Sequence, residues 1–187
     1  MMSSKFFNKT GVLAVCLCLP TLSHAMWDTS DPHRFAGDVL QLALPATGLV
    51  VAYHKDDMQG AKQLGKTMAA TVITTEALKT GFNNTALGKR PNGGSRSFPS
   101  GHTSSACAGA TFIGQRYGWK AGLPAMGVAG YVGWTRVHAK AHHPRDVVAG
   151  CAVGVAAGLL LTDPMSDTQV LPWYENKTLG VSVSSVW

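Results

Sequence analysis

Apolar positions fall into blocks of helical length, separated by polar or glycine-rich stretches. Residues 38–53 are mostly apolar and predict a helix that Pro45 interrupts or bends. "HKDDMQGAKQ" follows as a polar connection, or as the polar first turns of the next element. Residues 63–79 predict a second helix, stopped by Gly81. The stretch "GFNNTALGKRPNGGSRSFPSG" holds five glycines and two prolines and predicts a long loop, which in a compact domain is usually functional or disordered. Three further helices are predicted over 102–117, 123 to about Arg136, and 144–161. Period-two alternation appears only in "QVLPWYENKTLGVSVSSVW", which predicts a small hairpin around Glu175–Thr178. The expected fold is all-α, a helical bundle of about five to six helices with a short C-terminal β-hairpin.

The first residues change this picture. "MMSSKFFNKT" carries Lys5 and Lys9, "GVLAVCLCLPTL" is a short apolar run, and "SHA" offers a small-x-small exit. Together they read as a secretory signal peptide over 1–25, with one domain over 26–187. A retained membrane anchor is the alternative, although the run is short of the roughly 20 residues a span needs. Large residues before Cys16 and Cys18 speak against a lipoprotein signal. The expected location is exported and periplasmic, soluble or membrane-associated.

Cys107 and Cys151 remain after such a cleavage. An exported compartment permits a disulfide, but both residues sit among small apolar neighbours on predicted helices, and buried free thiols are expected. Neither has a second ligand at metal-finger spacing. The formal charge of +6 falls to +4 without Lys5 and Lys9. With no basic run interleaved with aromatics, that mild excess argues against nucleic acid and fits an anionic small substrate. The apolar runs look short for a bilayer, and a mean hydropathy of +0.07 is low for a polytopic protein. Gly150, Gly154 and Gly158 form a small-residue stripe that suits close helix approach either in lipid or in a soluble bundle. A soluble or peripherally attached domain is expected.

Candidate chemistry gathers at two words. In "PSGH", residues 99–102, Gly101 lets the backbone approach something closely, and the following helix start offers free amides and a positive dipole end. Such a corner binds anions, phosphate above all; the same residues also suit an ordinary serine cap and a surface histidine. In "TRVHAKAHHPRD", Pro144 opens a helix, which places His142 just before it and Asp146 in its first turn. A carboxylate there can accept from the His142 Nδ1 and leave Nε2 with its lone pair outward, the arrangement of a nucleophile or base. Arg90 in the glycine-rich loop, with Arg136, offers forks that match phosphate oxygens.

The ordered set "RP…PSGH…(S/T)R-x5-H-x3-D", spanning roughly Lys79 to Asp146, resembles the type 2 phosphatidic acid phosphatase superfamily, which includes bacterial non-specific acid phosphatases, lipid phosphatases and vanadium-dependent haloperoxidases. The resemblance implies a metal-independent phosphatase acting on phosphomonoesters, of small molecules or of lipids such as phosphatidic acid. It implies His142 as a nucleophile forming a phosphohistidine, Asp146 as its orienting carboxylate and His102 as the general acid. Lys79, Arg90, Ser100, Gly101 and Arg136 would cradle the phosphate. No cofactor is implied, and vanadate would inhibit. The alternatives are a vanadate-dependent haloperoxidase, with vanadate as prosthetic group, or a non-catalytic envelope-associated protein; peripheral membrane contact fits either class. Two departures stand out. The family's lysine lies closer to its Arg-Pro, where this chain has Asn83, so "FNNTALG" reads as a four-residue insertion that leaves Lys79 in the site, with Lys89 as the rival. Thr135 replaces the usual serine and keeps its hydroxyl.

Overall fold

The computed structural model describes residues 31–165 in full and the backbone of 168–175 and 178–185. The signal-peptide reading of 1–25 lies outside the described residues. Five helices make the body: α1 Pro32–His54, α2 Met58–Phe82, α3 Gly101–Tyr117, α4 Trp119–His138 and α5 Pro144–Leu161, with a short 3-10 turn at Ala86–Gly88. Thr168–Glu175 (β1) and Thr178–Ser185 (β2) run antiparallel after them. The body is all-α, with five helices, and the expected C-terminal β-hairpin is not supported as part of that fold.

Helix ends depart from the expected ones because caps decide them. Asp31 accepts from the amides of His33 (2.9 Å) and Arg34 (3.2 Å), and Pro32 takes the first helical position, so α1 starts six residues before Asp38. Pro45 neither interrupts nor ends it. Asp57 accepts from the Gly60 amide at 2.8 Å, which makes "MQGA" the polar first turn of α2.

The central helix is α3, which packs against all four others. Its Ala106, Cys107, Ala108, Gly109 and Ala110 are buried, and small side chains are what permit so many neighbours around one rod. The glycine stripe of α5 lies against it: a Cβ at Gly150 or Gly154 would overlap the carbonyl oxygens of Ser100 and Ser104. That approach overturns the expectation of free thiols. Cys107 and Cys151 face each other across the α3–α5 contact with Cα atoms 5.2 Å apart, and they form a disulfide. At the end of the bundle where α3 finishes, Arg116 clamps Asp57 with two hydrogen bonds (2.7 and 2.5 Å) and donates to the Asp163 carbonyl at 3.0 Å.

The exterior of the bundle is unusually apolar at mid-height. From Phe35 to Tyr53 on α1, from Ala121 to Trp134 on α4 and from Val147 to Leu161 on α5, every exposed residue is uncharged, and Leu160 is 81% exposed. Both α1 and α5 are long and apolar enough to cross a membrane. The apolar runs read from sequence understate these helices, because α1 extends past its apolar core at the cap.

Candidate active site

One rim of the bundle collects the starts of α1, α3 and α5 and the ends of α2 and α4. The 83–100 segment closes over it. Arg90 organises the loop by accepting from the Gly93 amide and donating from its own amide to Gly94 O (2.8 Å) and from Nε to Ser95 O (2.9 Å). Ser97 N donates to Gly88 O at 3.0 Å, and the Phe98–Pro99 peptide that follows is cis. Ser100 N donates to Asp146 O at 2.9 Å, which fixes the start of α3 against the first turn of α5.

His142 is buried at the entrance to α5, and its amide donates back to Arg136 O at 3.2 Å, which folds the loop onto the end of α4. Burial first, then the charges of Lys79, Arg90 and His102, push its pKa down to about 2. The ring is therefore neutral, with a lone pair available. Asp146 is not the direct hydrogen-bond acceptor expected for Nδ1: the closest approach, to Oδ2, is 3.8 Å. That oxygen instead accepts from Ser97 Oγ (2.6 Å) and the His143 amide (2.9 Å), the second bond belonging to a capping box that the third helical position imposes. Asp146 thus ties the 83–100 segment, at Ser97, to the residue after His142, and stays within charge range of His142.

Lys79 is buried in this pocket while Lys89 is exposed. The 3-10 turn at Ala86–Gly88 lies between Lys79 and Arg90, in the stretch that the sequence reads as an insertion. Lys79 Nζ donates to Arg96 O at 2.9 Å, and its Cε lies 3.6 Å from where a Cβ on Gly101 would stand. Burial, and then the neighbouring Arg90, bring its pKa down to about 8. Its charge acts on both His102 and His142, and Arg136 acts on His102 and Arg90, so the dispersed sequence words meet in one place.

Arg136 is also buried. Nη1 donates to Asp38 Oδ1 (2.6 Å), Nη2 to Arg34 O (2.6 Å) and Nε to Thr135 Oγ1 (3.1 Å), so only part of its fork is left for an anion. The Ser100 hydroxyl bonds Thr103 Oγ1 (2.9 Å) and caps α3, beside the free amides at Gly101.

Two residues at the site escape sequence reasoning. Ser97 carries no signal in its neighbours. Asp38 had one, as the lone acid inside an apolar helix. It is buried, with Oδ1 at 2.6 Å from Arg136 Nη1 and 2.9 Å from His102 Nε2, although the His102 contact is not aligned as a hydrogen bond. Buried polar atoms normally have partners. Among the described residues, five side-chain atoms do not, and four of them (Asp38 Oδ2, His102 Nε2, His142 Nδ1, Asp146 Oδ1) are at this rim. No group of three or more His, Cys, Asp or Glu among the described residues is placed to hold a metal ion.

This constellation has counterparts. Residues 60–167 match the family described as the PAP2 superfamily. The chain is 27% identical over 141 residues to a lipid A 1-phosphatase of Helicobacter pylori (strain ATCC 700392 / 26695), across 73% of this chain and 70% of that protein. It is 31% identical over 134 residues to a lipid A 4'-phosphatase of Helicobacter pylori (strain J99 / ATCC 700824), across 67% of each. The crystal structure of Aquifex aeolicus LpxE has the same fold, with a TM-score of 0.59 at 20% identity over 86% of this chain and 98% of that one. Since the family match spans more than half of the chain and takes in Lys79, Arg90, His102, Arg136, His142 and Asp146, this protein belongs to the PAP2 superfamily.

Proposed function

We propose that the protein is a phosphatase that removes a phosphomonoester from a lipid, by way of a phosphohistidine on His142. The observation that carries this is a neutral, buried His142 and a second histidine, His102, around one pocket with Lys79, Arg90 and Arg136. The names of the lipid A phosphatases it resembles support a phosphorylated lipid as substrate.

The chemistry follows from charge. A phosphomonoester dianion seated among Lys79, Arg90, Arg136 and the amides at Gly101 has its equatorial oxygens neutralised more strongly as charge builds in the transition state. The His142 lone pair attacks phosphorus in line. The bond from phosphorus to the leaving oxygen breaks, its electron pair goes to that oxygen, and His102 supplies the proton. Water then attacks the phosphohistidine while His102 takes back a proton, releasing phosphate and restoring His142. The rim lies outside the uncharged band, and that band buried in lipid would hold the pocket at headgroup level. The Cys107–Cys151 disulfide supports an oxidising compartment such as the periplasm.

The test is phosphate release by the full chain in mixed micelles containing lipid A or phosphatidic acid, with EDTA present, beside a His142→Ala variant. EDTA-resistant release, lost in His142→Ala and inhibited by vanadate, is expected, together with acid-labile radiolabel trapped on the wild-type enzyme. Equal turnover by His142→Ala would remove the nucleophile from the scheme.

A further inference from the structure

A carboxylate buried in the first turns of α1 touches two members of the site at once. Asp38 is 1% exposed, and its Oδ1 is shared by Arg136 Nη1 at 2.6 Å and His102 Nε2 at 2.9 Å. No other acid is paired with His102 among the described residues' ion pairs, whereas Asp146 stands on the His142 side. The two histidines therefore each have their own carboxylate, carried on different helices.

We propose that Asp38 is the positioning residue of His102: it holds the ring toward the leaving oxygen and supplies the negative charge that a protonated ring needs beside it. The inference rests on the phosphatase reading above, within which it assigns a residue outside the recognised sequence words. An imidazole at this place faces two cations, Arg136 from α4 and Lys79 from α2, and the neutral His142 ring from the α4–α5 loop, and both burial and the two cations disfavour its charged form. Asp38, from α1, opposes them. Burial still leaves the His102 pKa below the ordinary imidazole value, so losing the carboxylate would lower it further and leave less of the ring in its acid form. The contact is not aligned as a hydrogen bond here, and catalytic hydrogen bonds commonly tighten only with substrate bound. Because the same oxygen also receives Arg136, Asp38 sets the spacing between the acid and one phosphate-binding cation.

Leaving-group dependence separates this role from a structural one. p-Nitrophenyl phosphate departs with little need of an acid, while n-octyl phosphate needs its oxygen protonated. In Asp38→Asn, turnover of n-octyl phosphate should fall about 100-fold, that of p-nitrophenyl phosphate less than about 10-fold, and the alkaline limb of kcat should move to lower pH. His102→Asn should give the same asymmetry, and the double variant should widen it no further. Equal losses on both substrates, or none, would overturn the proposal. Failure of the wild-type enzyme to turn over either substrate would instead sink the phosphatase reading. If Asp38→Asn does not fold, ring 15N shifts of the wild-type enzyme with inorganic phosphate bound at pH 6 decide the matter: a cationic His102 supports the proposal and a neutral one overturns it.

Discussion

If Lys79 binds the phosphate as proposed, the reaction is sensitive to pH in a range where ordinary lysines do not titrate. Its side chain is buried under the 83–100 loop, and its pKa falls from 10.5 to about 8. That gap corresponds to about 3 kcal/mol of disfavoured charge. The sign for stability follows from the depressed folded value. Between pH 8 and 10.5 the unfolded chain binds more protons than the folded one, so the protein becomes more stable as pH rises across that window. Activity moves the other way. On the proposed role the free enzyme loses a phosphate-binding cation above pH 8, and kcat/KM should fall about tenfold per pH unit there, while kcat, which reports the complex with a dianion beside the amine, should hold to higher pH. Removing one such donor costs on the order of 10²–10³ in rate, so Lys79→Met should lose that much at pH 7 and lose the limb near pH 8 as well. Steady-state profiles from pH 6 to 10 on one phosphomonoester would measure this, with Lys89→Met as control. A Lys79→Met enzyme that kept the limb, or a Lys89→Met enzyme that lost it, would refute the assignment of Lys79 over Lys89.

The Cys107–Cys151 bridge closes a separation of 44 residues, for which loop-closure entropy predicts a stabilisation of about 4 kcal/mol. Comparing denaturant midpoints of oxidised and reduced protein measures it, and coincident curves would show that the bridge adds nothing. Gly154→Val should abolish folded yield, because its side chain would enter the Ser104 carbonyl, whereas Gly127→Ala, which has open space around it, should stabilise by roughly 0.5–1 kcal/mol. Thermal unfolding of both variants separates the two cases, and a well-folded Gly154→Val protein would contradict the α3–α5 contact.

What the sequence made legible was periodic or verbal. Five blocks of apolar residues gave five helices, and the words around Arg90, His102, Arg136, His142 and Asp146 were enough to gather those residues in one pocket. Their ends were less readable. The Asp31–Pro32 pair is a start signal that the polar composition of "MWDTSDPHRF" concealed, and Asp57 likewise cut short the reading of α2. The Asp38 contacts arise because α1 lies across the start of α3 and the end of α4, a tertiary arrangement that a lone acid in an apolar helix hints at but does not specify. The cysteine pair was misread for the same reason. A glycine stripe announces close approach but not the helix approached, and only α3 in that position brings residues 44 apart in sequence within bonding distance. Ser100 serves as the helix cap that the sequence also offered for it.

The alternation of helix direction has one more consequence. Odd-numbered helices begin at the candidate-site rim and even-numbered ones finish there, so Asp31 lies at that rim and Leu161 at the far pole. A bundle of this parity, threaded through a bilayer, works on one leaflet only. The sense of its insertion would then decide which pool of lipid phosphate is hydrolysed, and an upside-down molecule, however well folded, would meet the wrong substrates.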